Sequence, residues 1–359
     1  MSKKKAKHNT SNTKEEKTAS AKKIGSESSP LFNEEKTSIV LLAILILVVW
    51  VIRFKFLNIP FERDEGAYSY YGKLLTEGKI PYKDFFEIKF PGIFYFYGFI
   101  VSIFGDTVKG MHMGFMFLNM ATIIIIYYTS RILFTPIAGI ISAITFAFIS
   151  LTPSLSGFTV QSEHGVAFFI SLGILFYALS KKHEHWYYYL LMGISLGFSF
   201  LIKTNGVFLC MWGAVILILD FLFTSPNTLT LFAIHFLLYA TGGISIILFL
   251  FLIITAKGAF GDMIFWAIEL PSKYISNVTL EEGIKYFGYS KDAILANHKF
   301  FWYHSLLALI VCWLKPIDWK TKMFAITLLF FSFLTVVPGI YLYGHAFIQT
   351  IPGFTIVAG

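Results

Sequence analysis

"SIVLLAILILVVWVIRFKFLNIPFERDEGAYSYYGKLLTEGKIPYKDFFEIKFPG" (residues 38–92) joins two opposite compositions without a linker. Its first part, 38–57, is almost wholly aliphatic and aromatic. As a helix it covers about 30 Å, the thickness of a bilayer's hydrocarbon core. Its second part, 58–92, carries six acids (Glu62, Asp64, Glu65, Glu77, Asp84, Glu87) and five bases (Arg63, Lys73, Lys79, Lys83, Lys89), in a chain only 14% charged. A greasy span is thus followed at once by a charge-dense loop.

Outward from that junction the apolar runs repeat. They fall near 38–57, 93–104, 111–130, 136–152, 164–180, 187–203, 206–223, 230–255, 300–314 and 322–343, with an apolar end at 346–359. The chain of 359 residues is 56% hydrophobic and 18% aromatic, where soluble proteins average about 45–50% apolar and roughly 25% charged. Strand-type alternation is absent, which excludes an outer-membrane barrel, and there is no internal repeat. The expected fold class is an all-α polytopic membrane protein, embedded in the lipid bilayer.

The formal net charge of +8 does not indicate nucleic-acid binding. Residues 1–37 hold nine Lys and five Glu, so +4 of it sits in a tail too poor in apolar residues to fold. That tail is expected to be a disordered basic cytoplasmic segment, with 38–359 as the transmembrane domain. Lysines beside the first span keep the N-terminus inside. Cys210 and Cys312 lie in apolar runs without metal-ligand spacing and read as packing residues. Asn277 begins an N-V-T sequon.

Parity then orders the loops. With the N-terminus inside, 58–92 lies outside. The 93–104 segment is only twelve residues, about 18 Å as a helix. If it lies in the interface, Arg131 and "KKHEH" (181–185) fall inside, while Glu163, Lys203 and the loops 58–92 and 256–299 fall outside. If it crosses, another segment must break.

Within the first loop, "DEGAYSYYGKLLTEG" predicts a short amphipathic helix along the membrane surface, with Asp64 at its N-terminus and Gly78 at its stop. Tyr68, Tyr71 and Leu75 share one stripe. For Asp64 and Glu65 two readings stand: a helix cap with its solvated neighbour, or a carboxylate acting as general base at the mouth of a membrane cavity. Spacing alone does not choose between them.

Taken together, Asp64, Glu65, Tyr68, Glu77, Gly78, Pro81, Tyr82, Asp84, Phe85, Lys89 and Pro91 form a spaced pattern just after the first span. It resembles the first outer loop of GT-C glycosyltransferases, and within them the dolichyl-phosphate-mannose mannosyltransferase and aminoarabinose-transferase-like group with its bacterial members. The resemblance implies a GT-C-type helical bundle with juxtamembrane helices in that loop. It implies transfer of a sugar from a polyprenyl-phosphate-linked donor to a lipid, glycan or protein acceptor, on the outer face of a bacterial plasma membrane. Asp64 would be the base or acceptor-orienting carboxylate, with Glu65 beside it, and Lys89 would contact the carrier phosphate. Tyr68 and Tyr82 would line the substrate pocket.

Glu163 matches the family's second acidic position, with His164 next to it. Lys203 in "FLIKTNGVF" would also approach the phosphate, and "YLYGHAFIQTIPGF" offers His345 and Gln349 as pocket residues. Lys89 and Lys203 can equally be lysines snorkelling to the interface, and Glu163 a helix cap. Asp64 and Glu163 are also candidate ligands for a divalent metal ion, as hard oxygen donors; no cofactor is otherwise implied. Trp266, Tyr274 and Tyr286 in the loop 256–299 would stack on sugar or prenyl chain, or anchor the interface.

Two departures stand out. Ala67 occupies a place where the aminoarabinose transferases carry arginine, which points to a different substrate. Ala346 replaces the family's tyrosine after His345. Because the chain stops inside an apolar segment, the domain is expected to be C-terminally incomplete. The competing function is a flippase or transporter of a lipid-linked saccharide. It predicts charges in mid-span or repeat symmetry, whereas here the charges gather at the outer ends of spans.

Overall fold

The computed structural model describes residues 34–223, 228–275, 279–295, 299–338 and 343–359. Most of the tail, Asn277 and the side chain of Tyr274 lie outside the described residues. The described part is helical, with one isolated bridge between Pro81 and Phe85. Helix α1 spans Glu34–Phe54, α2 Arg63–Thr76, α3 Gly92–Phe104, α4 Val108–Leu133, α5 Pro136–Ile149, α6 Ser162–His183, α7 Tyr187–Ile202, α8 Val207–Phe223 and α9 Leu229–Ala256. After them come α10 (Phe260–Ile264), a π-helical turn (Phe265–Glu269), α11 (Leu270–Ile275), α12 (Leu280–Leu295), α13 (Lys299–Leu314), α14 (Trp319–Leu334) and α15 (Ile351–Ala358). Among the described residues five units are long and apolar enough to cross a membrane: α1, α4, α6, α9 and Thr204–Phe223, which contains α8.

Two ends of the bundle can be told apart by their contacts. At one end Glu35 in the first turn of α1 pairs with Arg131 in the last turn of α4, and the Ser38 and Tyr127 hydroxyls meet at 2.7 Å. Lys181 at the close of α6 pairs there with Asp220 of α8. At the other end Arg53, near the end of α1, donates to the Ser150 carbonyl (2.8 Å) and to Asn119 Oδ1 (3.1 Å). Arg53 is buried, and among the described residues no carboxylate lies within ion-pair distance of it. Asn119 and Ser150 take up its donors where water cannot.

Helix α3 stays at this second end. Gly92 abuts the last turn of α7 so closely that a Cβ would stand 2.6 Å from Leu201 Cβ. At its other end, a Cβ on Gly110 in the first turn of α4 would lie 2.9 Å from the Gly105 carbonyl. Since α4 runs from there to the Glu35 end, both ends of the thirteen-residue α3 lie at the Arg53 end. Apolar on nearly every side, α3 supports α2: Tyr68 and Tyr97 rings lie 5.4 Å apart and the buried Tyr97 hydroxyl donates to the Val160 carbonyl. Elsewhere helices meet on small residues, with Gly193 and Gly197 of α7 facing Gly242 and Gly243 of α9. Without a hydrophobic drive between helices in lipid, such close backbone packing is what holds them.

Candidate active site

The site starts from how α2 is capped. Its N-cap is Glu62, whose Oε2 accepts from the Asp64 amide at 3.2 Å, while Glu65 Oε2 accepts from the Glu62 amide at 2.7 Å. The sequence reading that put Asp64 at the cap is corrected. This is a capping box built with glutamate at both places, and Asp64 sits in the first turn with its carboxylate unspent on the helix. Among the described residues Asp64 Oδ1 accepts only from Arg63 Nε, at 3.0 Å, and the side chain is 31% exposed.

Glu65 is buried, and its second oxygen accepts the Val160 amide. Glu62 Oε2 also accepts from Gln161 Nε2 at 2.5 Å. Two carboxylates of the first loop thus clamp the strand-like approach to α6. Neither Glu62 nor Gln161 stands out in the sequence; the only signal was an acid three residues before Glu65.

After Gly78, which ends α2 at a φ of 81°, the loop 79–91 folds back under the helix. Asp84 Oδ2 accepts the Ile80 amide at 2.7 Å. Tyr82 holds a φ of 68°, a costly conformation for a bulky residue. Its hydroxyl donates to the Lys89 carbonyl at 2.7 Å, which fixes the far end of the loop. The Lys89 ammonium then lies 4.0 Å above the centre of the buried Tyr68 ring. Among the described residues no carboxylate lies within ion-pair distance of it. Burial first, and then the nearby Lys203 charge, lower its pKa to about 8, against the pull of Glu163 and Asp64. Glu87, two residues earlier, is pushed up by burial and by Asp64.

The second half comes from α6 and beyond. Glu163 is 2% exposed and accepts an ion-paired hydrogen bond from Lys203, at the junction of α7 and α8. His345 Nε2 stands 3.7 Å from the same carboxylate oxygen, and Ser162 Oγ donates to the other at 3.2 Å. His345 arrives because Asn205 Nδ2 and Gln349 Nε2 both donate to the Thr335 carbonyl, at 2.7 and 2.9 Å, tying the segment after α14 to the Lys203 corner.

Asp64, Lys89, Glu163, Lys203 and His345 therefore meet at one end of the bundle. Tyr68 and Tyr82 act on Lys89. Gln349 is buried and structural in its contacts. His164 is not brought into the cluster: its ring lies edge-on to Phe115 and Nε2 faces the Ser156 carbonyl at 3.4 Å. Among the described residues no three His, Cys, Asp or Glu side chains converge as metal ligands, and Glu163 is held by the chain's own cations.

Glu163→Gln should leave Lys203, 18% exposed, as an uncompensated charge beside Lys89. Removing one partner of a buried pair costs about 3–5 kcal/mol, read as a drop in thermal unfolding temperature in detergent. Glu163→Gln combined with Lys203→Met should recover stability. If the double variant is no more stable than Glu163→Gln, the pair is not what holds this corner.

The chain's apolar spans define a multi-pass helical membrane protein. Residues 89–255 match the family model for dolichyl-phosphate-mannose-protein mannosyltransferase, starting at Lys89 and leaving the acidic part of the first loop outside the match. No curated protein matches the sequence. Among solved structures, ArnT from Cupriavidus metallidurans bound to undecaprenyl phosphate is similar, with a TM-score of 0.60 and 14% identity over 89% of this chain and 59% of that one. The oligosaccharyltransferase AglB from Archaeoglobus fulgidus, in complex with an inhibitory peptide and a dolichol-phosphate, gives 0.57 and 13% over 89% of this chain and 50% of its own. Its apo form gives 0.59 and 11%, again over 89% of this chain and 50% of its own. The chain thus spans between half and three-fifths of the length of these structures. At such identities the likeness is one of fold, and it bears out the expected GT-C-type helical bundle.

Proposed function

We propose that this chain is a membrane glycosyltransferase that moves a sugar from a polyprenyl-phosphate donor to an acceptor hydroxyl. One observation carries the reading. A half-buried carboxylate (Asp64) and a half-buried ammonium with no carboxylate partner among the described residues (Lys89) are held at one end of a membrane bundle, next to a second ammonium, Lys203. Asp64 takes the acceptor's proton as the new bond to the sugar's anomeric carbon forms. The bond from that carbon to the phosphate oxygen breaks, and the departing phosphate gains charge facing Lys89 and Lys203. Attack opposite the phosphate inverts the anomeric centre.

Glu163 holds Lys203 in place, and Glu65 positions α2 rather than touching substrate. Solved relatives holding undecaprenyl phosphate and dolichol-phosphate support a polyprenyl phosphate as partner. A tail of net charge +4 supports a cytoplasmic N-terminus, with the site on the outer face of a bacterial plasma membrane. A divalent ion at Asp64 and Glu163 would have to displace the Lys203 ammonium. Loss of transfer on EDTA treatment, restored by Mg²⁺ or Mn²⁺, is the behaviour such a site requires.

The test is the purified chain in liposomes with undecaprenyl phosphate carrying a labelled sugar and with envelope extract as acceptor. Labelled product together with free undecaprenyl phosphate is expected. Saccharide movement across the liposome without product would point to a flippase and overturn the reading.

A further inference from the structure

A groove of about 480 Å³ opens beside α2, with Tyr70, Tyr71, Lys79, Asp84 and Phe86 among its walls. Two of its aromatic residues stand open, Tyr70 at 56% and Phe86 at 57% exposure, while Tyr71 is half-buried against Phe85. Phe86 is braced from behind by Trp266, with ring centres 4.3 Å apart and planes 12° from parallel. Trp266 is itself presented by the π-helical turn Phe265–Glu269, a feature that occurs disproportionately at functional sites. A second tie, from Lys83 Nζ to the Lys257 carbonyl at 3.4 Å, joins the same two loops. The shelf is therefore assembled from two loops 170–180 residues apart in sequence.

Its chemistry is mixed. Lys79 has no partner among the described residues, Asp84 uses Oδ2 on the Ile80 amide, and both residues line the groove. A prenyl chain or acyl tail lying here would strip water from both charges with nothing in return. A saccharide suits both features. Its C–H faces pack on aromatic rings, whose faces carry the negative part of the quadrupole, and its hydroxyls bond to the ammonium and carboxylate. The shelf is also continuous with the candidate base. Tyr71 lies seven residues after Asp64 on α2, about 10 Å along the axis and on the same stripe. Burial raises the Tyr71 phenol's pKa, and the charges of Glu87 and Asp64 add to it. A monosaccharide acceptor would not reach from one to the other; a chain of several rings would.

We propose that the acceptor is an oligosaccharide chain whose terminal ring offers its hydroxyl at Asp64 while the following rings lie on the Tyr70–Tyr71–Phe86 shelf. This rests on the glycosyltransferase reading above. The test is a photo-crosslinking phenylalanine analogue placed at Tyr70 in the full chain, irradiated in native membranes and analysed by mass spectrometry. An adduct carrying a glycan supports the proposal, and its mass separates a lipid-linked oligosaccharide from a free polymer. Adducts of phospholipid alone or of peptide alone, or no adduct, overturn it.

In the reconstituted assay with envelope glycan, Phe86→Ala should raise the acceptor KM at least tenfold, leave kcat within about twofold, and be rescued by Phe86→Tyr. A fall in kcat at unchanged KM would also overturn the shelf. Transfer that continues while these tests fail sinks the shelf alone. A glycan adduct at Tyr70 in a protein that never consumes the lipid donor sinks the transferase reading instead.

Discussion

Asp64→Asn is expected to lower sugar transfer about 10²–10⁴-fold, the range a positioned general base supplies, with little change in stability. The two effects separate because of the cap. Had Asp64 closed the N-terminus of α2, its loss would also cost about 1 kcal/mol of helix stability. Glu62 does that work with Glu65 as its reciprocal partner, so Asp64 is left with one exposed contact, to Arg63. The amide of asparagine keeps the size and removes the ability to take a proton. Glu62→Gln should show the opposite profile, a stability loss larger than its direct effect on chemistry, because it weakens both the cap and the bond from Gln161. Transfer by Asp64→Asn at the wild-type rate would remove the base assignment.

Lys89 gives the second large effect, and one that pH can read. Lys89→Ala is expected to cut kcat about 10²–10³-fold, the cost of losing one group aimed at developing charge. In the folded chain Lys89 titrates near 8, below the ordinary value of 10.5, with burial as the main cause. Below pH 8 both folded and unfolded chains carry the charge, and the fold bears the full cost of burying it. Between about 8 and 10.5 the unfolded chain binds more protons than the folded one, so this group's contribution to stability rises with pH.

Catalysis runs the other way. Phosphate recognition needs the ammonium, so kcat/KM for the lipid donor should fall as pH rises through about 8. Lys89→Arg keeps its charge far into alkali and should carry that limb to higher pH, whatever it costs in absolute rate. An unchanged alkaline limb in Lys89→Arg would falsify the role given to Lys89.

Much of this molecule was legible because the bilayer imposes length and apolarity on the chain. The runs around 38–57, 111–130, 164–180, 206–223 and 230–255 correspond to helices long enough to cross. Asp64, Lys89, Glu163 and Lys203 stand out through the first-loop pattern and the family resemblance, and the fold brings them to one place. What was not legible depends on partners far away in sequence. Nothing in the sequence marks Arg53 as buried; it is buried because Asn119 and Ser150, 66 and 97 residues on, accept its donors. His164 looks like a partner of Glu163, yet the helix turns its ring toward Phe115. The cap was misassigned because Asp outranks Glu at N-caps, and only the back-bond from Glu65 shows which acid is used. Tyr82 carries no sequence mark of its positive φ, since that conformation is held by a hydroxyl bond seven residues on.

The clamp between the first loop and the approach to α6 has a consequence for how the protein is made. Glu65 waits 95 residues for the Val160 amide, and Glu163 waits 40 for Lys203 and another 142 for His345. At ribosomal rates of 5–20 residues per second, that last interval is roughly 7–30 s. Through it Lys203 has been synthesised and His345 has not. The corner around Glu163 therefore closes late in synthesis, only once His345 has been made.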